Sequence, residues 1–277
     1  MSEFEFEKQL SVEETGIGGL RVLDLAVHGD SRGWFKENWQ RAKMTALGIP
    51  DLRIVQNNIS YNDERGVTRG IHAEPWDKFI SVATGSVFGA WVDLRAGSPT
   101  FGRVYTCTLD PSRAIYVPRG VGNSFQALED GTAYTYLVDA HWSLELKRTY
   151  TFVNLADPEL AIEWPIPLDQ ATVSEADLNH PMLKDVVPMA PKRTLVTGCN
   201  GQLGHAVRAL AEGVLELEKS TGCDFLHLGS ALEMRHPVRL RGAAENLALV
   251  LPDLDMRVCV SARLDRSFNL DLKETGQ

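Results

Sequence analysis

The chain has 277 residues, 44% of them apolar, and a formal net charge of −9. That is enough apolar material for one large core or two of ordinary size, and the acidic balance argues against a general nucleic-acid surface. An anionic ligand must be held by a local cluster of Arg and Lys against that field.

Residues 1–7 are acidic and lack the apolar core of a signal peptide. No apolar run is long enough to span a bilayer. Cys107, Cys199, Cys223 and Cys259 have no CxxC spacing, so neither a zinc site nor a disulfide framework is expected. The expectation is a protein of the reducing cytoplasm, with no membrane and no nucleic-acid partner.

Short apolar alternations at residues 20–23, 52–55, 67–71, 79–83, 87–94, 104–109, 114–117 and 133–138 predict strands. Gly66, Gly85, Gly97-Ser98-Pro99, Asp110-Pro111 and Pro118-Arg119-Gly120 supply the turns between them. A helix is predicted over residues 39–47. Short strands at such regular spacing suggest a sandwich or jelly roll. Pro165, Pro167, Pro181, Pro188 and Pro191 then mark an irregular tail and linker. From Lys192 the pattern changes. A strand over 193–197 leads into Gly198-Cys199-Asn200-Gly201-Gln202-Leu203-Gly204, and helical periodicity follows over 205–217. Strand, glycine loop and helix make the phosphate cradle of a dinucleotide fold, with Gly198, Gly201, Gln202, Leu203 and Gly204 against the cofactor. The expected organisation is a mainly β unit over 1–188 and a truncated α/β Rossmann-like unit over 189–277.

The chemistry-bearing run is Arg69-Gly70-Ile71-His72, with Lys78 six residues on. It joins a guanidinium suited to phosphate, an imidazole that exchanges protons near neutral pH, and an ammonium. On a regular strand Arg69 and Ile71 face one way and His72 the other. Unless the strand bulges, the bend at Pro75 must bring them together. Plainer readings stand beside this one. Lys78 reads as a solvated edge lysine, Arg32 and Arg69 as surface charges, Tyr136 as a sheet aromatic, and Trp34 and Phe35 as core. Asp177 reads as part of a helix-capping turn in Ser174-Glu175-Ala176-Asp177. A competing metal-dependent enzyme would need two or three histidines and a Glu converging on one ion. His72 and Glu74 have no second strand histidine, and Asn123 occupies the other expected ligand position.

The first unit resembles the dTDP-4-dehydrorhamnose 3,5-epimerase family, a cofactor-free cupin-type jelly roll. The resemblance runs from about residue 22 to 177. It rests on Asp30-Ser31-Arg32-Gly33-Trp34-Phe35, Gln56-Asn57-Asn58, Gly66-Val67-Thr68-Arg69-Gly70-Ile71-His72, Lys78, Gly97-Ser98-Pro99-Thr100-Phe101-Gly102, Tyr116-Val117-Pro118, Tyr136 and Ile162-Glu163-Trp164-Pro165. It implies His72 as general base, Asp177 as its carboxylate partner, Tyr136 as general acid and Lys78 on the ketone oxygen. It further implies a dTDP-sugar substrate contacted by Arg32, Phe35, Glu37, Gln56, Asn58, Arg69, Asn123 and Trp142. A homodimer that exchanges N-terminal strands is also implied. Two departures stand out. Only Ala73-Glu74-Pro75-Trp76-Asp77 separates His72 from Lys78, and Asn123 replaces a family histidine. The second unit resembles the start of a dTDP-4-dehydrorhamnose reductase, which would use NADP(H) or NAD(H). It lacks that family's Tyr-x-x-x-Lys pair, since the last tyrosine is Tyr150.

Overall fold

The computed structural model describes residues 4–191, 193–197, 239–241, 247–251 and 256–260. Backbone packing divides the chain into Met1–Ala190 and Pro191–Gln277. Period-two alternation builds most of the first unit into strands: β1 (Ser11–Glu14), β2 (Arg21–Asp24), β3 (Val27–Asp30), β4 (Gly33–Lys36), β5 (Gln56–Asn62), β6 (Val67–Ala73), β7 (Lys78–Thr84), β8 (Val87–Asp93), β9 (Val104–Leu109), β10 (Arg113–Val117), β11 (Val121–Ala127), β12 (Thr132–Val138), β13 (Thr151–Phe152) and β14 (Thr172–Val173). Three short helices interrupt them: α1 (Arg41–Ala46), α2 (Leu144–Lys147) and α3 (Glu175–Leu178).

One sheet has the order β1-β2-β10-β7-β12-β5. A second has the order β13-β6-β11-β8-β9, with β14 parallel to β6. The unit is mainly β with few helices, and this arrangement is consistent with a cupin-type jelly roll. Its main core takes side chains from both sheets, including Val22, Ile80, Ile115 and Tyr134 from the first and Val87, Trp91 and Phe125 from the second. A second cluster, with Ile71, Val92, Val153 and Leu160, packs the tail onto the second sheet.

Residues 52–55, read as a strand, lie before the strand ladder. Leu52 N–H donates to Pro50 O and Ile54 N–H to Leu52 O. Leu52 packs with Leu23, Met44 and Phe79, and ladder pairing begins at Gln56. Trp34 and Phe35 are not core. They are 39% and 69% exposed, on a β3–β4 hairpin whose strands pair with each other. No helix among the described residues is long and apolar enough to cross a membrane.

In the second unit, β15 (Arg193–Thr197), β16 (Arg239–Arg241), β17 (Leu247–Leu251) and β18 (Met256–Val260) form a sheet of order β15-β18-β17-β16. Only the β15–β18 pairing within it is parallel. The loop carrying Gly198, Gly201, Gln202, Leu203 and Gly204, and the expected helix after it, lie outside the described residues.

Candidate active site

β6 carries an extra residue against its neighbour. Arg69 lies opposite Phe125 and His72 opposite Asn123, so three steps along β6 match two along β11. Such a bulge breaks the alternation of faces. Arg69 and His72 therefore line one cavity while Ile71 turns into the core. Gly70 permits this: its φ is +125°, and a Cβ there would sit 2.4 Å from Ser124 Cβ. The bulge, and not the bend at Pro75, unites the two parities.

The cavity, about 690 Å³, is of small-molecule size. Its walls come from β6, β7, β11 and β12 and from the tail that follows β12. On one wall His72 Nε2 is 2.8 Å from Asp177 Oδ1. Asp177 arrives on α3, whose N-cap is Ser174: the Ser174 hydroxyl accepts the Asp177 N–H at 3.1 Å. The capping turn and the His–Asp pair thus coexist, because the turn uses the Asp177 backbone and the pair its carboxylate. Gly70 N–H donates to the other carboxylate oxygen at 3.3 Å. Burial works to raise the Asp177 pKa, but the hydrogen bond and charge of His72 and the Gly70 N–H outweigh it and leave the carboxyl below its ordinary value. The His72 ring meets Phe152 and His180 edge-on, each at 5.3 Å. Burial and the neighbouring His72 hold the His180 pKa below its ordinary value, against Asp177 and the Gly70 backbone. Sequence reading missed His180. The available signal was its position three residues after Asp177.

Lys78 is not a solvated edge lysine. It lies on β7, between β10 and β12, opposite Val117 and Val138, and is 2% exposed. Its Nζ pairs with Glu74 Oε2 at 2.7 Å. A buried ammonium needs such a counter-charge. Glu74 was also missed as a site residue, though its place four residues before a lysine was visible. Tyr136, on β12, lines the same cavity. Burial, reinforced by the Glu74 charge, raises its phenol above the ordinary value, so it holds its proton at neutral pH. Tyr134 donates its hydroxyl proton to Asn123 Oδ1 at 2.8 Å and orients that amide on the cavity wall. Arg69 Nε donates to Asn62 Oδ1 at 3.1 Å.

His72, Asp177, Lys78, Tyr136, Arg69 and Asn123 are thus brought together. Gln56 and Asn58 share the face of β5 that carries the cavity-lining Ser60. Gln56 Nε2 donates to Asn58 Oδ1 at 2.8 Å, and Trp142 N–H donates to Gln56 Oε1 at 2.9 Å. Arg32, Phe35 and Glu37 are not brought to the cavity of their own chain. Arg32 pairs with Asp30 on the exposed hairpin, and Glu37 pairs with Lys43 at 2.8 Å.

An imidazole with a carboxylate behind it, a protonated phenol and a buried ammonium around one cavity suit proton removal beside a carbonyl. Fold and site therefore define a two-sheet β protein with a small-molecule cavity lined by groups able to exchange protons. The model of the dTDP-4-dehydrorhamnose 3,5-epimerase family matches residues 14–185, and the chain belongs to that family. It is 52% identical over 198 residues to the RmlC homolog of Streptococcus pyogenes serotype M6, an alignment spanning 69% of this chain and 99% of that one. It is 33% identical over 184 residues to the dTDP-4-dehydrorhamnose 3,5-epimerase of Mycobacterium tuberculosis, spanning 64% and 89%. Among solved structures it resembles RmlC from Streptococcus suis in complex with dTDP-D-xylose. That match has 53% identity and a TM-score of 0.63, and covers 67% of this chain and 97% of that one.

Proposed function

We propose that this protein converts dTDP-4-dehydro-6-deoxy-D-glucose to dTDP-4-dehydro-L-rhamnose by inverting C3 and C5, a step in the synthesis of dTDP-L-rhamnose. The C4 ketone acidifies both neighbouring C–H bonds, so the reaction needs no cofactor. The observation that carries the reading is that His72 and Tyr136 line one cavity with Lys78. In this reading His72 removes the proton, Asp177 stabilises the imidazolium that forms, Lys78 holds the enolate oxygen, and Tyr136 returns a proton to the opposite face. Arg69 serves the diphosphate, and Asn123, Gln56, Asn58 and Trp142 line the sugar-nucleotide path.

The same reading makes the protein a cytoplasmic homodimer. The exposed β3–β4 hairpin of one copy would carry Arg32, Phe35 and Glu37 to the cavity of the other. Exposed apolar residues on the hairpin and on the edge strand β5, where Ile59 is 66% and Tyr61 60% exposed, support that arrangement. The second unit is read as a reductase-like Rossmann fragment that takes no part in the reaction.

The test is incubation with the keto sugar nucleotide in deuterated water. Deuterium at C3 and C5 of the product is expected, and its absence from both carbons refutes the reading. Ending the chain after Ala190 should leave the incorporation rate unchanged.

A further inference from the structure

The cavity wall that carries His72 and Asp177 holds a third donor. His180 Nε2 stands 3.9 Å from Asp177 Oδ1, beyond a direct hydrogen bond, and His180 Nδ1 is buried with no partner. The ring is stacked on Phe152, with centroids 4.6 Å apart and planes at 25°, which fixes its orientation. One donor atom from each of His72, Asp177 and His180 lies within 4.8 Å of the others. Proton transfer accounts for the first two side chains and leaves the third unexplained.

We propose that His72, Asp177 and His180 form a binding site for a borderline divalent cation of the zinc class, and that occupying it blocks proton abstraction. Tetrahedral zinc, with bonds of about 2.0–2.2 Å, sets its donor atoms about 3.4 Å apart. The separations of 2.8 Å and 3.9 Å from Asp177 Oδ1 bracket that value, and all three donors lie within 4.8 Å of one another, so adjustments of about 1.5 Å or less close the site. Two imidazoles and one carboxylate suit zinc, nickel or copper and disfavour magnesium or calcium. The Gly70 N–H occupies Oδ2 and leaves Oδ1 for the ion, an outer contact of the kind that orients metal ligands. Three protein donors leave a fourth position toward the cavity. Coordination uses neutral rings, with the His72 proton on Nδ1, and transfers no electron. The ion takes His72 Nε2, the nitrogen held by Asp177, and fixes the ring proton on Nδ1, the nitrogen that the proposed reaction uses as base, so the occupied site cannot abstract a proton. The site is not the strand-borne cupin arrangement, because two of its donors come from the tail.

The blocking clause rests on the epimerase reading; the binding clause does not. The experiment titrates the full chain, freed of metal with EDTA, with Co²⁺ and then Zn²⁺. One equivalent of Co²⁺ should give the visible bands of a four- or five-coordinate site and be displaced by Zn²⁺. His180→Ala, with His180→Asn as a second variant and circular dichroism to check folding, should weaken binding at least tenfold. Absence of the bands overturns the proposal. So does affinity within twofold of wild type in a folded His180 variant, since the ion would then sit elsewhere, at His28 and Glu7 or at a cysteine. In the deuterium assay Zn²⁺ should suppress incorporation, and binding without inhibition overturns the blocking clause. A metal-free wild type that incorporates no deuterium sinks the epimerase reading and leaves the cobalt titration to decide the site.

Discussion

His72 and Asp177 are 105 residues apart in the chain, yet their side chains meet at 2.8 Å. The bulge in β6 turns the ring toward the cavity, and the Ser174-capped turn delivers the carboxylate. Positioned proton transfer contributes about 10²–10⁴-fold. His72→Asn should therefore lower kcat by about 10³-fold. Asp177→Asn keeps the base and removes its charge partner, so it should cost less, roughly 10–100-fold. Deuterium incorporation measures both. Equal rates in wild type and His72→Asn would remove His72 from the chemistry.

Tyr136 separates exchange from inversion. A base on one face of the sugar can remove a proton and return a deuteron to the same face without an acid opposite. Tyr136→Phe should thus still wash deuterium into substrate while product formation falls by about 10²-fold or more. Proton NMR of the recovered sugar nucleotide distinguishes the two. Inverted product at the wild-type rate would assign the acid role to another group.

The Lys78–Glu74 pair sets stability against activity. Lys78→Met leaves a carboxylate in a site where its side chain is only 12% exposed. Breaking one side of a buried pair costs about 3–5 kcal/mol. Replacing both, as in Lys78→Met with Glu74→Leu, should recover most of that loss in urea unfolding. Activity should stay down by about 10²–10³-fold in both variants if Lys78 is the donor to the enolate oxygen, as proposed. Recovered activity in the double variant would contradict the role given to Lys78.

Much of the first unit was legible because alternation reports one-sided burial. The strand read over 104–109 is β9, and the run at 133–138 is β12 with one residue added. Strands with a polar or inverted pattern were not legible. β5 reads Gln-Asn-Asn-Ile-Ser-Tyr-Asn and points Ile59 and Tyr61 outward. β11 opens on Val121-Gly122-Asn123-Ser124, where Asn123 serves the cavity instead of the core. His72, Tyr136, Lys78 and Asp177 were singled out through family motifs. Glu74 and His180 were not, because each acquires its meaning only from a partner's burial: Lys78 for one, Asp177 and Phe152 for the other. The Trp34–Phe35 pair misled because apolar character alone does not tell core from an exposed hairpin.

Asp93 should govern part of the stability in acid. It is fully buried, and burial works to raise its carboxyl. Hydrogen bonds from Arg95, Ser98 and Thr100 prevail and bring it down to about 2. A carboxyl near 3.9 in the unfolded chain and lower in the folded one stabilises above that pH, and the contribution is lost as pH falls toward the folded value. The linkage is about 2–3 kcal/mol. Asp93→Asn should be destabilised by about that much at pH 7 and converge on wild type near pH 2 in urea unfolding. A penalty that does not change with pH would mean lost packing, not charge.

Gly70 carries the last prediction, because it ties the fold to the chemistry. A Cβ at this position would approach Ser124 Cβ at 2.4 Å and Asn123 O at 2.8 Å, and the φ of +125° is strained for any other residue. Gly70→Ala can relieve the contact only by moving β6 against β11 or by losing the bulge. Losing the bulge returns Arg69 and His72 to opposite faces, and moving the strand withdraws the Gly70 N–H from Asp177. The expected result is a loss of about 2–4 kcal/mol of stability together with a fall in activity larger than that of Asp177→Asn. If Gly70→Ala lowered the unfolding midpoint but kept wild-type turnover, the bulge would be a packing device, and the joint placement of Arg69 and His72 would need another cause.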